Sequence, residues 1–132
     1  MQLRARHKSK QLTLVYTTVE RKSDAEKIAR QIIQERFSAC INIIPGITSF
    51  YVWKGKIIRA KEYLLVIKTR KALVNALEKR IRSLHPYELP EFIAIDITKG
   101  STDYIKWFYE NTEQERNRIP YNLKRNLGRF HG

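Results

Sequence analysis

The sequence predicts an α+β domain made of two β-α-β halves, the split arrangement of ferredoxin-like folds, enlarged by a long β-hairpin and a C-terminal helix. Two observations predict it. Two helical stripes of apolar residues each sit between an apolar extended run and a return strand, and a stretch of extended pattern from Ala39 to Thr69 is interrupted only by Pro45-Gly46 and Lys54-Gly55. Right-handed crossovers then place both main helices on one face of a four-stranded antiparallel sheet.

Each element has a local reason. Leu12 to Tyr16 is a short apolar run with β-branched members and reads as a buried first strand. Ser23-Asp24-Ala25-Glu26 has capping-box spacing, and Ala25, Ile28, Ala29, Ile32, Ile33 and Phe37 recur at three- and four-residue intervals, so a first helix is expected there with Lys22, Lys27, Arg30 and Glu35 on its wet side. From Ala39 to Trp53 the pattern turns extended. Pro45 within that run implies an edge strand or a bulge, Lys54-Gly55 is a tight-turn signal, and Lys56 to Thr69 returns as the second arm of the hairpin. A second helix over about Arg70 to Leu84 carries Leu73, Ala76, Leu77, Ile81 and Leu84 on one face, with Glu78 and Arg82 placed to pair. Pro86 stops it, Phe92 to Ile97 reads as a fourth strand, Gly100-Ser101 breaks that strand, and Tyr104, Ile105 and Phe108 mark a third helix to about Thr112.

The hairpin's length bears on assembly. Fifteen extended residues span ~50 Å at ~3.3 Å each, whereas a compact chain of this size is roughly 35 Å across. Such a hairpin overshoots its own monomer, and its edges and its aromatics Phe50, Tyr51, Trp53 and Tyr63 call for a second copy as cover.

The 132 residues carry a net charge of +13, much of it at the ends: Arg4, Arg6, Lys8 and Lys10 precede the domain, and residues 116–132 hold five bases and no acid. We therefore divide the chain into a basic arm (1–10), one domain (11–112) and a basic, loosely ordered tail (113–132). Clustered bases attract any phosphate surface, nucleic acid included. No nucleic-acid motif accompanies these, so solvated tails are the favoured reading. The single Cys40 excludes a disulfide framework and fits a reducing compartment. With no apolar run near the ~20 residues of a membrane span and no signal-peptide pattern, the chain reads as soluble and cytoplasmic.

No nucleophile elbow, Walker motif or Gly-rich phosphate loop occurs, which disfavours an enzyme. His7 and His131 lie in the ends, leaving His85 as the one candidate histidine of the folded body. It opens the segment His85-Pro86-Tyr87-Glu88-Leu89-Pro90-Glu91, where two prolines enforce an extended, rigid path. At a helix C-terminus its protonated form is favoured, whereas metal ligation needs it neutral, so a cap and a ligand are both open. Glu88 and Glu91 offer oxygen donors beside it, and Cys40 reads as a small core residue.

Four motifs in order carry a family resemblance. Ser38-Ala39-Cys40-Ile41-Asn42-Ile43-Ile44-Pro45-Gly46-Ile47-Thr48-Ser49, then Tyr51-x-Trp53-x-Gly55-Lys56, then Lys68-Thr69, then His85-Pro86-Tyr87-Glu88-x-Pro90-Glu91 resemble the CutA divalent-cation tolerance proteins over about Leu12 to Thr112. The resemblance implies a ferredoxin-like subunit in a homotrimer with hairpins crossing between copies, a role in divalent-metal tolerance, chiefly copper, and no established reaction. It implies His85 as a metal ligand. Together with the chemistry of the His85–Glu91 segment it leads us to expect a divalent cation or small anion bound weakly in clefts between subunits near His85, Trp53, Tyr87 and Glu91, with interface packing the competing role for Tyr51, Trp53 and Tyr87. The family's further ligands, a Cys in the first strand and a His before the motif, are replaced here by Tyr16 and Leu84.

Overall fold

The computed structural model describes residues 10–114, and the arm and tail assigned to 1–10 and 113–132 fall outside it except for Lys10, Glu113 and Gln114. The elements run β1 (Leu12–Val19), α1 (Lys22–Gln34), β2 (Ile41–Trp53), β3 (Lys56–Arg70), α2 (Val74–Leu84), β4 (Ile93–Asp96) and α3 (Thr102–Glu110), with a 3₁₀ turn at Lys71–Leu73 leading into α2. The four strands form one antiparallel sheet in the order β2-β3-β1-β4, the predicted split β-α-β arrangement.

β1 is longer than predicted because Thr17, Thr18 and Val19 continue it as a central strand whose neighbours are β3 and β4. That extension moves the first helix. With the strand running to Val19, the chain must turn at Glu20-Arg21, and Arg21 becomes the extended N-cap of α1, without a side-chain cap. The predicted capping box at Ser23 is therefore absent. Glu26 instead lies 4.0 Å from both Lys22 and Arg30 along the helix. Phe37 lies beyond the end of α1 but still packs on the core, while Ile33 and Ala76 are exposed.

Directly opposed residues of a ladder share a face. Val15 opposite Ile67 and Thr17 opposite Leu65 thus point with Val19 toward α1 and α2, which meet them with Ala25, Ile28, Ile32, Leu77 and Ile81. Thr69, on the same side, closes the base of the layer by donating to the Phe37 carbonyl at 2.7 Å. The reverse face carries Leu14, Tyr16, Leu64 and Val66, joined by Ile44 from β2 and Ile93 and Ile95 from β4, the last three exposed. α3 occupies one end of that face. Arg70, opposite Leu12, donates to Thr112 Oγ1 and the Tyr109 carbonyl and stacks over the Tyr109 ring, while Phe108 is fully buried.

The hairpin resolves a conflict between its two ends. At its tip, Lys54 and Gly55 form a two-residue loop with φ of 52° and 79°, as a primed turn requires, and this pairs Trp53 with Lys56. At its base, Ile44 pairs with Leu64. The two registers differ by one residue, and the bulge at Pro45-Gly46, predicted from the proline, absorbs the difference. Beyond the bulge, Ile47 faces Glu62, so Ser49, Tyr51 and Trp53 share a side with Glu62, and Phe50 and Val52 take the other side with Ile57 and Arg59.

Gly46 sits at φ 76°, and a β-carbon placed on it would meet nothing within 4 Å, so the strain of a substitution there is purely conformational. Gly46→Ala is expected to destabilise the fold by about 1–2 kcal/mol through the left-handed backbone alone, read as a lower denaturant midpoint at unchanged slope. An unchanged midpoint would mean that the bulge relaxes.

A glutamate-lined cleft as candidate functional site

Pro86 disfavours helical geometry at the residue before it, and His85 accordingly leaves α2 at φ −80°, ψ 137° while its N–H still closes on the Ile81 carbonyl at 2.8 Å. The ring is thereby swung inward and is 8% exposed. Its Nδ1 accepts from the Tyr87 N–H at 3.1 Å, and its Nε2 lies 2.8 Å from the Thr18 carbonyl. An amide donor on one nitrogen and a carbonyl acceptor at the other specify a neutral imidazole protonated on Nε2.

From His85 the contacts continue across the sheet. The Tyr87 ring meets the imidazole edge-on at 4.7 Å, and its hydroxyl donates to Glu62 Oε2 at 2.6 Å. Glu62 is 4% exposed on β3. The segment after α2 is thus pinned to β1 through His85 and to β3 through Tyr87. Burial pushes the His85 pKa down, against the Thr18 carbonyl and the charges of Asp24 and Glu62. This runs against the expectation that the helix end would favour the charged ring, because burial is the largest influence on it. Burial and the Glu62 hydrogen bond push the Tyr87 hydroxyl far up, which keeps it a donor.

The pinned segment forms one wall of a cleft of about 900 Å³, whose other wall is the hairpin. Trp53, Tyr87 and Glu91 all line it, together with Glu20, Glu62 and Glu88, and the recess lies within one chain. No lysine, arginine or histidine of the described residues lines it. Burial, and then the charge of Glu62, push the Glu91 carboxyl up. His85 itself stands behind the wall. Tyr16 and Leu84 are used in packing: Tyr16 opposes Val66 and Ile93 in the sheet, and Leu84 lies against the core.

Cys40 belongs to a separate cluster at the α3 end of the sheet. Its Sγ lies 3.5 Å from Lys68 Nζ, which also bonds Asn42 Oδ1, and Tyr104 is hydrogen-bonded to the thiol. Burial, with that contact, raises the Tyr104 hydroxyl to about 12. Among the described residues no three His, Cys, Asp or Glu side chains are arranged to hold a metal ion. A metal at His85 would have to displace either the Thr18 or the Tyr87 bond, so one chain presents no ready-made metal centre.

Glu62 is a site residue that sequence reasoning misses. Its signal is a carboxylate on the same alternate positions of β3 as Ile58, Ala60, Leu64 and Val66, where an isolated acid amid small and apolar residues is out of pattern.

A family model, CutA1 divalent ion tolerance protein, matches residues 13–111. The "Protein CutA, chloroplastic" of Arabidopsis thaliana is 43% identical over 99 residues, 75% of this chain and 54% of that protein, so the chain spans about half of this relative's length. The "Divalent-cation tolerance protein CutA" of Thermus thermophilus is 40% identical over 99 residues, 75% of this chain and 96% of that protein. Among solved structures, the CutA1 crystal structure from Oryza sativa superposes with a TM-score of 0.77 at 39% identity, covering 82% of this chain and 99% of that one.

Because folding lowers the His85 pKa, the unfolded chain takes up a proton more readily, near pH 6.5. Its contribution to stability is therefore whole above about pH 6.5 and shrinks as pH falls from there toward the lower folded value. Thermal unfolding over that interval is expected to show a steeper loss of Tm for the natural chain than for His85→Gln, whose side chain does not titrate. Parallel curves would show that the ring is not held neutral.

Proposed function

The chain belongs to the CutA1 divalent ion tolerance family, and on that premise we propose that it works as a trimeric binding module that takes divalent cations weakly in the glutamate-lined cleft. The observation that carries the proposal is local charge: a recess lined by Glu20, Glu62, Glu88 and Glu91 with no base among its described lining residues, on a chain of net charge +13. A cation drawn there meets carboxylate oxygens, with Tyr87 holding Glu62 and Trp53 flanking the hairpin wall. The raised pKa of Glu91 supports this reading, because a bound cation relieves the repulsion between Glu91 and Glu62.

Copper, which the family resemblance singles out, prefers an imidazole donor. In this reading His85 acts behind the wall, holding Tyr87 and Glu62 in place, and the oxygen donors accept the ion. Nothing in that arrangement needs a chemical step, which is why we propose binding rather than catalysis. Trimerisation is supported by the exposed apolar residues Ile44, Ile93 and Ile95 and by two sheet edges, β2 and β4, that pair on one side only. The lone Cys40 supports a reducing, cytoplasmic setting.

Calorimetric titration with Cu²⁺ and Mn²⁺ tests the assignment. Glu91→Gln is expected to weaken both cations roughly tenfold, about 1.4 kcal/mol, whereas His85→Ala, which only loosens Tyr87 and Glu62, weakens Cu²⁺ and Mn²⁺ alike and by less. If His85→Ala abolishes binding and Glu91→Gln does not, the imidazole is the ligand and the oxygen site falls.

A further inference from the structure

The cleft is far roomier than a metal ion needs. A divalent cation with a shell of six waters fills roughly 200 Å³ at ~30 Å³ per water. The recess holds about 900 Å³, within the range of roughly 300–1,000 Å³ typical of sites for organic ligands. Its walls are equally unlike an ion site. Aromatic rings border it on both sides, Phe50, Tyr51 and Trp53 from the hairpin and Tyr87 and Phe92 from the segment after α2, and Leu89 adds an apolar side chain that is 63% exposed.

The charged groups of the recess are of one sign and lie at two depths. Glu20, Glu88 and Glu91 are exposed, whereas Glu62 is 4% exposed. Tyr87 occupies one oxygen of Glu62, and among the described residues no donor meets the other. A carboxylate oxygen so deeply placed calls for a donor, and no base of the described residues lines the recess to supply it. Charge alone would accept any cation, but the rings add a preference. Aromatic faces attract ammonium groups, and methylenes gain by burial against such walls, whereas a metal ion that keeps its waters gains from neither. We infer that the cleft takes an aliphatic polyamine, a flexible chain with two or more ammonium groups. One ammonium donates to the deep Glu62, the methylenes lie along Trp53, Phe92 and Leu89, and the further ammonium groups meet Glu20, Glu88 and Glu91. A chain with several charges matches carboxylates at two depths, which a single charge does not. The inference rests on the reading that these carboxylates take cations and deepens it, because metal and amine compete for the same oxygens.

Calorimetry on the full natural chain at low salt tests this with terminal diamines of four to eight carbons, which hold the charge fixed while the apolar chain grows. Affinity is expected to rise along the series, by up to about fourfold for each methylene that becomes fully buried, and Mn²⁺ added beforehand is expected to weaken every amine. Glu91→Gln, at an exposed residue, weakens amine and Mn²⁺ together. Trp53→Leu, with its fold checked by circular dichroism, lowers the affinity for the longer amines by a larger factor than that for Mn²⁺. Bound Mn²⁺ with amine affinity that is absent, or flat along the series, would overturn the polyamine and leave the cation reading standing. If neither Mn²⁺ nor any amine binds, both fall.

Discussion

A four-stranded sheet that receives helices on one side has to dispose of its other side, and most of this molecule follows from how that is done. α1 and α2 fill one face, with Val15, Val19, Leu65 and Ile67 sealed beneath Ile28, Ile32, Leu77 and Ile81. Only one end of the reverse face receives a helix, α3, held by Arg70 and Tyr109. The remainder shows Ile44, Ile93 and Ile95 to solvent, an apolar surface that none of the described elements covers. The long ribbon and the cleft both open from this unfinished side.

Within that frame, the segment between α2 and β4 is held by hydrogen bonds rather than by regular structure. Thr18, His85, Tyr87 and Glu62 form one chain of contacts across β1 and β3, and each member fixes the next. The buried neutral ring makes this possible: a charged imidazole would have no lone pair for the Tyr87 amide. The acidic character of the cleft depends on the same chain, because Glu62 keeps its place through the Tyr87 hydroxyl. A residue with the composition of a metal ligand thereby serves to place carboxylates.

Much of this is legible in the residues. Period-two alternation around Pro45-Gly46 and Lys54-Gly55 locates the hairpin and its bulge, and Pro86 locates the end of α2. Trp53, Tyr87 and Glu91, singled out in the sequence, line one recess within a single chain. What fails does so for tertiary reasons. The capping box at Ser23 has suitable local spacing, but β1 is prolonged by pairing with its neighbours, and the helix starts where that strand lets go. The protonation of His85 follows, on sequence alone, from its own helix end, whereas the carbonyl and amide that specify the neutral form come from Thr18 and Tyr87, one of them 67 residues away. Glu62 escapes notice because nothing local marks a buried acid as functional until the opposite wall is in view.

The bulge at Pro45-Gly46 also governs which lengths of hairpin evolution can use. One inserted residue is what puts Tyr51 and Trp53, rather than Phe50 and Val52, on the side of Glu62. Losing or gaining a single residue between Ile44 and Trp53 would turn the upper ribbon inside out, whereas changes of two would merely shorten or lengthen it. Descendants of this chain should therefore vary there in pairs of residues, and an odd change would mark a copy whose ribbon has acquired a different inner and outer surface.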